Sequence, residues 1–477
     1  MLVIRSTGFW LGLIAFGVLL SQPAPAGLSA AGWQVLAVAA LMAIWWISEA
    51  VSISVTATLP IILFPLMGLG QIQDAASGMA SKAIWLTLGG FILGVALQKW
   101  NLHQRIALST VRMVGTQPSR IIGGFMIATA FLSMWITNTG TTVMMLPIAL
   151  SVVSLLMEDS SEDQGKDFAI ALMLALAYSA SIGGMMSLIG TSTNVMFKGF
   201  FEQSYDINIT FIDWLKIGVP VGVIMLLMTW LMLTKFLYRK LPAAQLSVGE
   251  QIKERMENLG KLSAAEWRTL IIFAFTAFLW VSKDILQPVL PLKLNDASIG
   301  MFGALLLFIT PSAREKGERL LSWQDTKDVP WGILVLLAGG LTLAKYMNDY
   351  GVAEWIGNGL VLLRDLPPLV VVLIVTGTIL MLSELMSNVA TLTAFLPIIA
   401  SVAVSIGYDP LALAVPATLV ASFAFMLPIG TPPNAIVFGS GLLRIGHMVR
   451  AGVALNVIGL IVVNVVVALL LSHVFSL

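Results

Sequence analysis

Two stretches of this chain, Ile217 to Thr234 and Ala451 to Leu471, carry no charged residue over a length that crosses a hydrocarbon core of about 30 Å as an α-helix. Amphipathic packing in water does not require such runs. The rest of the composition agrees: of 477 residues, 58% are hydrophobic and 11% charged, where a soluble domain carries roughly 25% charged residues. The chain is read as an all-α polytopic membrane protein. A net charge of +1 argues against a nucleic-acid partner, and the lack of cysteine removes disulfides, thiol catalysis and thiolate metal sites.

Arg5, the apolar run Phe9 to Leu20 and the small residues Ala24 to Ala26 mimic a cleavable export signal. A further apolar span from Trp33 to Ile47 follows, and a polytopic chain needs no separate signal, so residues 1–32 are read as a retained transmembrane helix. A window of roughly 19 residues gives about eleven spans, near 9–20, 33–47, 53–69, 83–97, 168–186, 217–234, 269–282, 296–310, 331–344, 411–429 and 451–474. Residues 118–158 and 365–407 differ, each being apolar on both sides of a polar centre, the pattern of a re-entrant helical hairpin.

Lysine and arginine crowd segments 235–268 and 311–330, while 283–295 has only Lys283 and Lys293. The positive-inside bias makes the two rich segments cytoplasmic, with 240–265 a solvated linker. The expected location is the cell inner membrane.

The chain repeats itself. Gly89-Gly90 recurs as Gly339-Gly340, Ser133 as Ser383, Asn138 as Asn388, Thr141 as Thr391 and Leu146-Pro147-Ile148 as Leu396-Pro397-Ile398, all at an offset of 250. Ile189-Gly190-Thr191 with Asn194 recurs as Ile429-Gly430-Thr431 with Asn434. With the first span set apart, five spans fall in each half, 33–239 and 266–477, and an odd number inverts the second half relative to the first. The expectation is two inverted repeats, each with a re-entrant hairpin and a broken helix, an arrangement that forms ion and substrate sites at the membrane midplane.

The two polar centres, Ser133 to Thr142 and Ser383 to Thr391, are clusters of hydroxyls and amides in apolar flanks. Small residues and hydroxyls also serve simply to let helices approach closely, but their duplication at matched positions favours a site. Hydroxyls, amide carbonyls and backbone carbonyls freed at a broken helix suit a small hard cation, and sodium is the natural candidate. Helix N-termini at the same turns suit an anionic oxygen. Asn138 and Asn388 each offer an amide that can donate to an anion and accept towards a cation. The breaks at Gly190 to Asn194 and Gly430 to Asn434 free further carbonyls.

No Lys or Arg lies between Arg120 and Lys166 or between Arg364 and Arg444, so a dianion here must be met by helix ends and co-bound cations. Moving a dianion inward costs about 4.6 kcal/mol per 100 mV, so more than two sodium ions per dianion would let the potential drive uptake. Glu49, Lys99, Lys345 and Asp349 lie near span ends and are read as interfacial anchors or local pairs; Glu384, inside the second hairpin, is the exception. The three histidines show no metal-ligand spacing.

From Trp45-Trp46-Ile47-Ser48-Glu49-Ala50 to the last span, and most specifically in its paired Ser-Asn-Thr-type tips and Gly-Thr-Pro-Pro-Asn-type breaks, the chain resembles the divalent anion/sodium symporter family. The resemblance implies a homodimer whose transport domain moves like an elevator against a scaffold, with co-transported sodium, a small carboxylate dianion as substrate and no organic cofactor. Carried over, one sodium site uses Ser133, Thr137, Asn138 and Gly190, and the other Ser383, Asn388, Gly430 and Pro432. The substrate carboxylates meet Asn138 and Thr139 on one side, and Asn388, Val389 and Thr431 on the other. Three positions depart from the pattern: Thr137 replaces Ser, Val389 replaces Thr, and Ser192-Thr193 replaces Pro-Pro. The expected activity is sodium-coupled transport of C4-dicarboxylates such as succinate, malate and fumarate. A sodium-independent exchanger and a citrate or sulfate carrier of the same fold are the alternatives, with an ion channel less favoured and no enzyme constellation present.

Overall fold

The computed structural model describes residues 2–115, 117–158, 161–242, 253–254, 256–289, 291, 293–359 and 365–475. Among these residues every named element is a helix, and the one β-bridge joins Pro311 to Arg319 in a loop. Residues 243–252 and 255 of the expected linker 240–265 lie outside the described residues.

The chain opens with α1 (Leu2–Ser21), α2 (Ala30–Ser48), α3 (Ile53–Thr56), α4 (Leu59–Leu66) and the short α5 (Ile72–Ala75). There follow α6 (Lys82–Lys99), α7 (Leu102–Val114), α8 (Pro118–Ser133), α9 (Asn138–Glu158), α10 (Glu162–Met186), α11 (Ser192–Ser204) and α12 (Phe211–Leu231). The second half begins with α13 (Ala264–Leu286) and α14 (Asp296–Ile309), then repeats the order with α15 (Trp331–Asp349), α16 (Val352–Gly359), α17 (Pro368–Leu385), α18 (Asn388–Ser405), α19 (Pro410–Val420), α20 (Pro432–Phe438) and α21 (Ile445–Phe475).

Nine of the described helices are long and apolar enough to cross a membrane, or ten if α6 and α7 count as one bent span. Three features differ from the sequence expectation. The span expected over 53–69 is two helices, because Pro60 lacks an N–H and its ring crowds the carbonyl four residues back, so the helix restarts at Leu59. The span over 411–429 stops at Val420, and the chain reaches Thr431 through turns and extended backbone. The short helices α7 and α16 were not expected; α7 leaves α6 at 72° through left-handed Asn101. Both polar centres are helix–turn–helix pairs, α8 with α9 and α17 with α18.

Helix α10 is the core of the first half: 94% of its most apolar window is buried, against 33% for α21. Its Ala, Ser and Gly residues permit close approach, and a Cβ on Gly183 would run into the backbone of Ala130 in α8. The halves also exchange elements. Helix α6 packs on α14 with Gly89 against Gly300, while α15 packs on α2, α3 and α4 with Gly339 against Ala57. Helix α11 packs on α15, α18 and α19, and α20 packs on α9 and α10.

The ion pairs sit towards the ends of these helices. Lys283 pairs with Asp296 at 2.8 Å, and Lys198 of α11 reaches the other oxygen of Asp296 at 3.7 Å, all three side chains buried. Nearby, Lys82 pairs with Glu202 at 2.6 Å. At the opposite end Lys99 pairs with Asp325 and Arg105 with Glu266, each at 2.9 Å. Lys345 pairs with Asp349, as expected for that helix end.

Replacing Asp296 by alanine strands two buried ammonium groups and is expected to cost roughly 3–5 kcal/mol. Thermal unfolding of the purified protein in detergent reads this directly. Arg5→Ala, which breaks an exposed pair with Glu49, is expected to cost under about 1 kcal/mol in the same assay.

Candidate functional site

At the first tip α8 ends on Ser133, four residues turn, and α9 begins at Asn138. The turn is held by local bonds: the Thr137 hydroxyl accepts from Gly140 N–H at 3.2 Å, and the buried Ser133 hydroxyl donates to Asn138 Oδ1 at 2.7 Å. The break between α10 and α11 lies against this turn. Ser187 donates its hydroxyl to the Met134 carbonyl and accepts from Gly190 N–H at 3.1 Å. Gly190 is hemmed in by backbone, since a Cβ there would come within 2.7 Å of the Ser133 carbonyl and 2.5 Å of the Gly184 carbonyl.

The second tip repeats the plan, with α17 ending at Leu385 and α18 beginning at Asn388. Its break, between α19 and α20, is longer, and Thr431 caps α20 by accepting from Asn434 N–H at 3.3 Å. Two asparagines that the sequence reading noted only as part of the repeat prove to span the breaks. Asn194 Nδ2 donates to the Met185 and Ser187 carbonyls at 3.0 and 2.7 Å. Asn434 Nδ2 donates to the Ala424 and Leu427 carbonyls at 2.9 Å each. Their shared place in the repeat was the signal that could have found them.

Both tips and both breaks meet on one cavity of about 710 Å³. From the first half Thr137, Asn138, Thr139 and Gly190 line it. From the second come Asn388, Val389, Gly430, Thr431 and Pro432. Ser133 and Ser383 do not line it; they lie fully buried, one turn behind the tips. Helices α9, α11, α18 and α20 all start at this cavity, and free N–H groups of α9, α11 and α18 gather there, whereas α20 opens on Pro432-Pro433, which carry none. Each longer helix contributes about +0.5 charge at its N-terminus. Among the described lining residues the only charged side chains are Arg5 and Glu49, paired with each other at 2.9 Å.

The oxygens behind the tips suit a cation. Thr141 Oγ1 and Asn194 Oδ1 in the first half, and Ser383 Oγ, Asn388 Oδ1, Thr391 Oγ1 and Asn434 Oδ1 in the second, are buried without a hydrogen-bond partner among the described residues. A buried polar oxygen left unsatisfied costs about 1–3 kcal/mol, which a bound cation would offset. The donor set is hydroxyl and carbonyl oxygen throughout, the chemistry of a hard ion. Among the described residues no cluster of His, Asp and Glu forms a transition-metal site.

The family model described as the sodium:sulfate symporter transmembrane region matches residues 5–477. A protein of Staphylococcus saprophyticus named sodium-dependent dicarboxylate transporter SdcS is 38% identical over 480 residues, covering 98% of this chain and 92% of its own. The protein of the same name from Staphylococcus aureus is 37% identical over 471 residues, covering 96% and 90%. The crystal structure of the Alcanivorax borkumensis YdaH transporter shares the fold at a TM-score of 0.59, with 14% identity, over 99% of this chain and 98% of that one.

Gly184 of α10 offers a direct test of the first tip, because a Cβ there would land on the Asn138 carboxamide. The carboxamide is the end of a side chain, so Gly184→Ala is expected to leave the chain folded while turning Asn138 away from Ser133. Sodium should raise the wild-type unfolding temperature through a term that reaches about 2.7 kcal/mol at a hundredfold excess over Kd. Gly184→Ala should show a smaller rise at every sodium concentration.

Proposed function

The chain belongs to the sodium:sulfate symporter family, and on that premise we propose that it carries C4-dicarboxylates, succinate, malate and fumarate, across the inner membrane together with sodium. The observation that carries the proposal is the meeting of both tips and both breaks on a single cavity. Relatives that share more than a third of its residues are named sodium-dependent dicarboxylate transporters. The chemistry of the cavity agrees with such a cargo. Among the described lining residues a dianion in its interior meets no lysine or arginine beyond Arg5, so its charge falls to the helix N-termini and to co-bound cations.

In this reading Asn138, Thr139, Asn388, Val389 and Thr431 touch the carboxylates. One sodium sits with Ser133, Thr137, Asn138 and Gly190, and a second with Ser383, Asn388, Gly430 and Pro432. The unpartnered oxygens of Ser383 and Asn388 support the second set. The repeats 33–239 and 266–477 lie inverted about the cavity, and the 240–265 linker is cytoplasmic. The cavity reaches the C-terminal end of α2 and the start of α15, beside the basic 311–330 loop, which supports the reading that it faces the cytoplasm. An elevator movement of the tips and breaks against a dimeric scaffold would present the same cavity to the other side.

Val389 favours a second reading of the substrate. Its side chain lines the cavity where a hydroxyl would donate to a carboxylate, and losing one such bond costs roughly 1.5–3 kcal/mol. Citrate or sulfate then becomes the competing cargo.

Uptake of radiolabelled succinate into proteoliposomes, with and without an inward sodium gradient, tests the proposal. Sodium-dependent uptake that disappears in the Asn138→Ala, Asn388→Ala double variant is the expected result. Uptake driven only by internal dicarboxylate would make the protein an exchanger. Val389→Thr is expected to change the ranking of succinate, malate and citrate as competitors; an unchanged ranking removes Val389 from substrate selection.

A further inference from the structure

We infer that Glu384 supplies the fixed negative charge against which the second cation site holds its sodium, and so sets the sodium affinity of transport. This rests on the sodium-coupled reading above.

Glu384 follows Ser383 directly, at the inner end of α17, and is 2% exposed. Among the described residues its carboxylate is met only by N–H donors. Oε1 accepts from Met426 N–H at 2.9 Å and from Asn456 Nδ2 at 2.7 Å, and Oε2 accepts from Met426 N–H at 3.1 Å and Leu427 N–H at 3.3 Å. Donors on both oxygens, with no acceptor for an acid proton, are the surroundings of an ionised acid. Among the described residues it forms no ion pair with Lys, Arg or His. A buried charge of this kind is retained where something else supplies the opposite sign.

The cation site is within reach to do so. Oε2 lies 3.3 Å from the place a Cβ on Gly430 would occupy, and Gly430 belongs to the second sodium set. On the same elements, the oxygens of Ser383, Asn388 and Asn434 are buried without partners. Surplus acceptors and a formal negative charge thus share one corner, and a small cation answers both.

The first half lacks this arrangement. At the offset of 250 its counterpart is Met134, which is neutral. There Ser133 and Asn138 also satisfy each other, at 2.7 Å. The two sites are therefore matched in outline and unequal in charge. A dianionic substrate gains nothing from a fixed carboxylate, so the charge of Glu384 acts on sodium and not on the dicarboxylate.

The test is the sodium dependence of succinate uptake in proteoliposomes of the full chain carrying Glu384→Gln, which keeps size and removes charge. The half-saturating sodium concentration is expected to rise about tenfold, while the KM for succinate at saturating sodium stays within about twofold. Glu384→Asp, which keeps the charge and shortens the reach to Met426 and Leu427, separates charge from shape. It is expected to stay near wild type in sodium dependence. An unchanged sodium dependence in Glu384→Gln, or an equal loss in both variants, overturns the inference. If Glu384→Gln does not fold, the aspartate variant decides alone: near-wild-type sodium dependence supports the role of charge, and a large rise refutes it. Wild-type uptake that ignores sodium would instead sink the symport reading itself.

Discussion

A carbonyl released from its helix ladder at membrane depth has no water to turn to, and this chain answers that need with two carboxamides. Asn194 and Asn434 each bind a pair of carbonyls freed where a helix stops, and the oxygen of each meets no partner among the described residues. The breaks can therefore persist, and their persistence places helix starts inside the protein instead of at its surfaces. Without the breaks, α11 and α20 would not begin at the cavity. The cavity would lose two of the four helix starts that gather there.

The duplication gives the site its two-sided form, and the departures from duplication give it character. At the first tip hydroxyl and amide close on each other; at the second they are left open and a carboxylate stands behind them. Twofold repetition builds the frame, and single substitutions such as Met134 against Glu384 differentiate its halves.

Much of this was legible in the residues. The offset of 250 located both tips before any coordinate, while the breaks expected at 190–194 and 430–434 begin earlier in the chain, at 187–191 and 421–431. What escaped the sequence was set by contacts between distant elements. Nothing near Asn194 reveals that its amide turns back to Met185, and nothing near Glu384 reveals its bonds to Met426 and Asn456. The division of 53–69 could have been found in Pro60, whose local effect was outweighed by the apolar run around it. Helix α7 was missed because its polar face interrupts the hydropathy that marks a span.

The exchange of elements between halves also governs how such a chain can be assembled. Gly89 needs Gly300, Gly339 needs Ala57, and buried Lys198 needs Asp296, which arrives only with α14. A ribosome that has released α12 has therefore inserted a first half in which two close-packed faces and one buried charge still wait for their partners. Insertion of each helix can proceed in order, yet final packing is deferred until the second half enters. The same interlocking that lets two repeats enclose one site makes the protein a single late-closing unit, although its sequence reads as two.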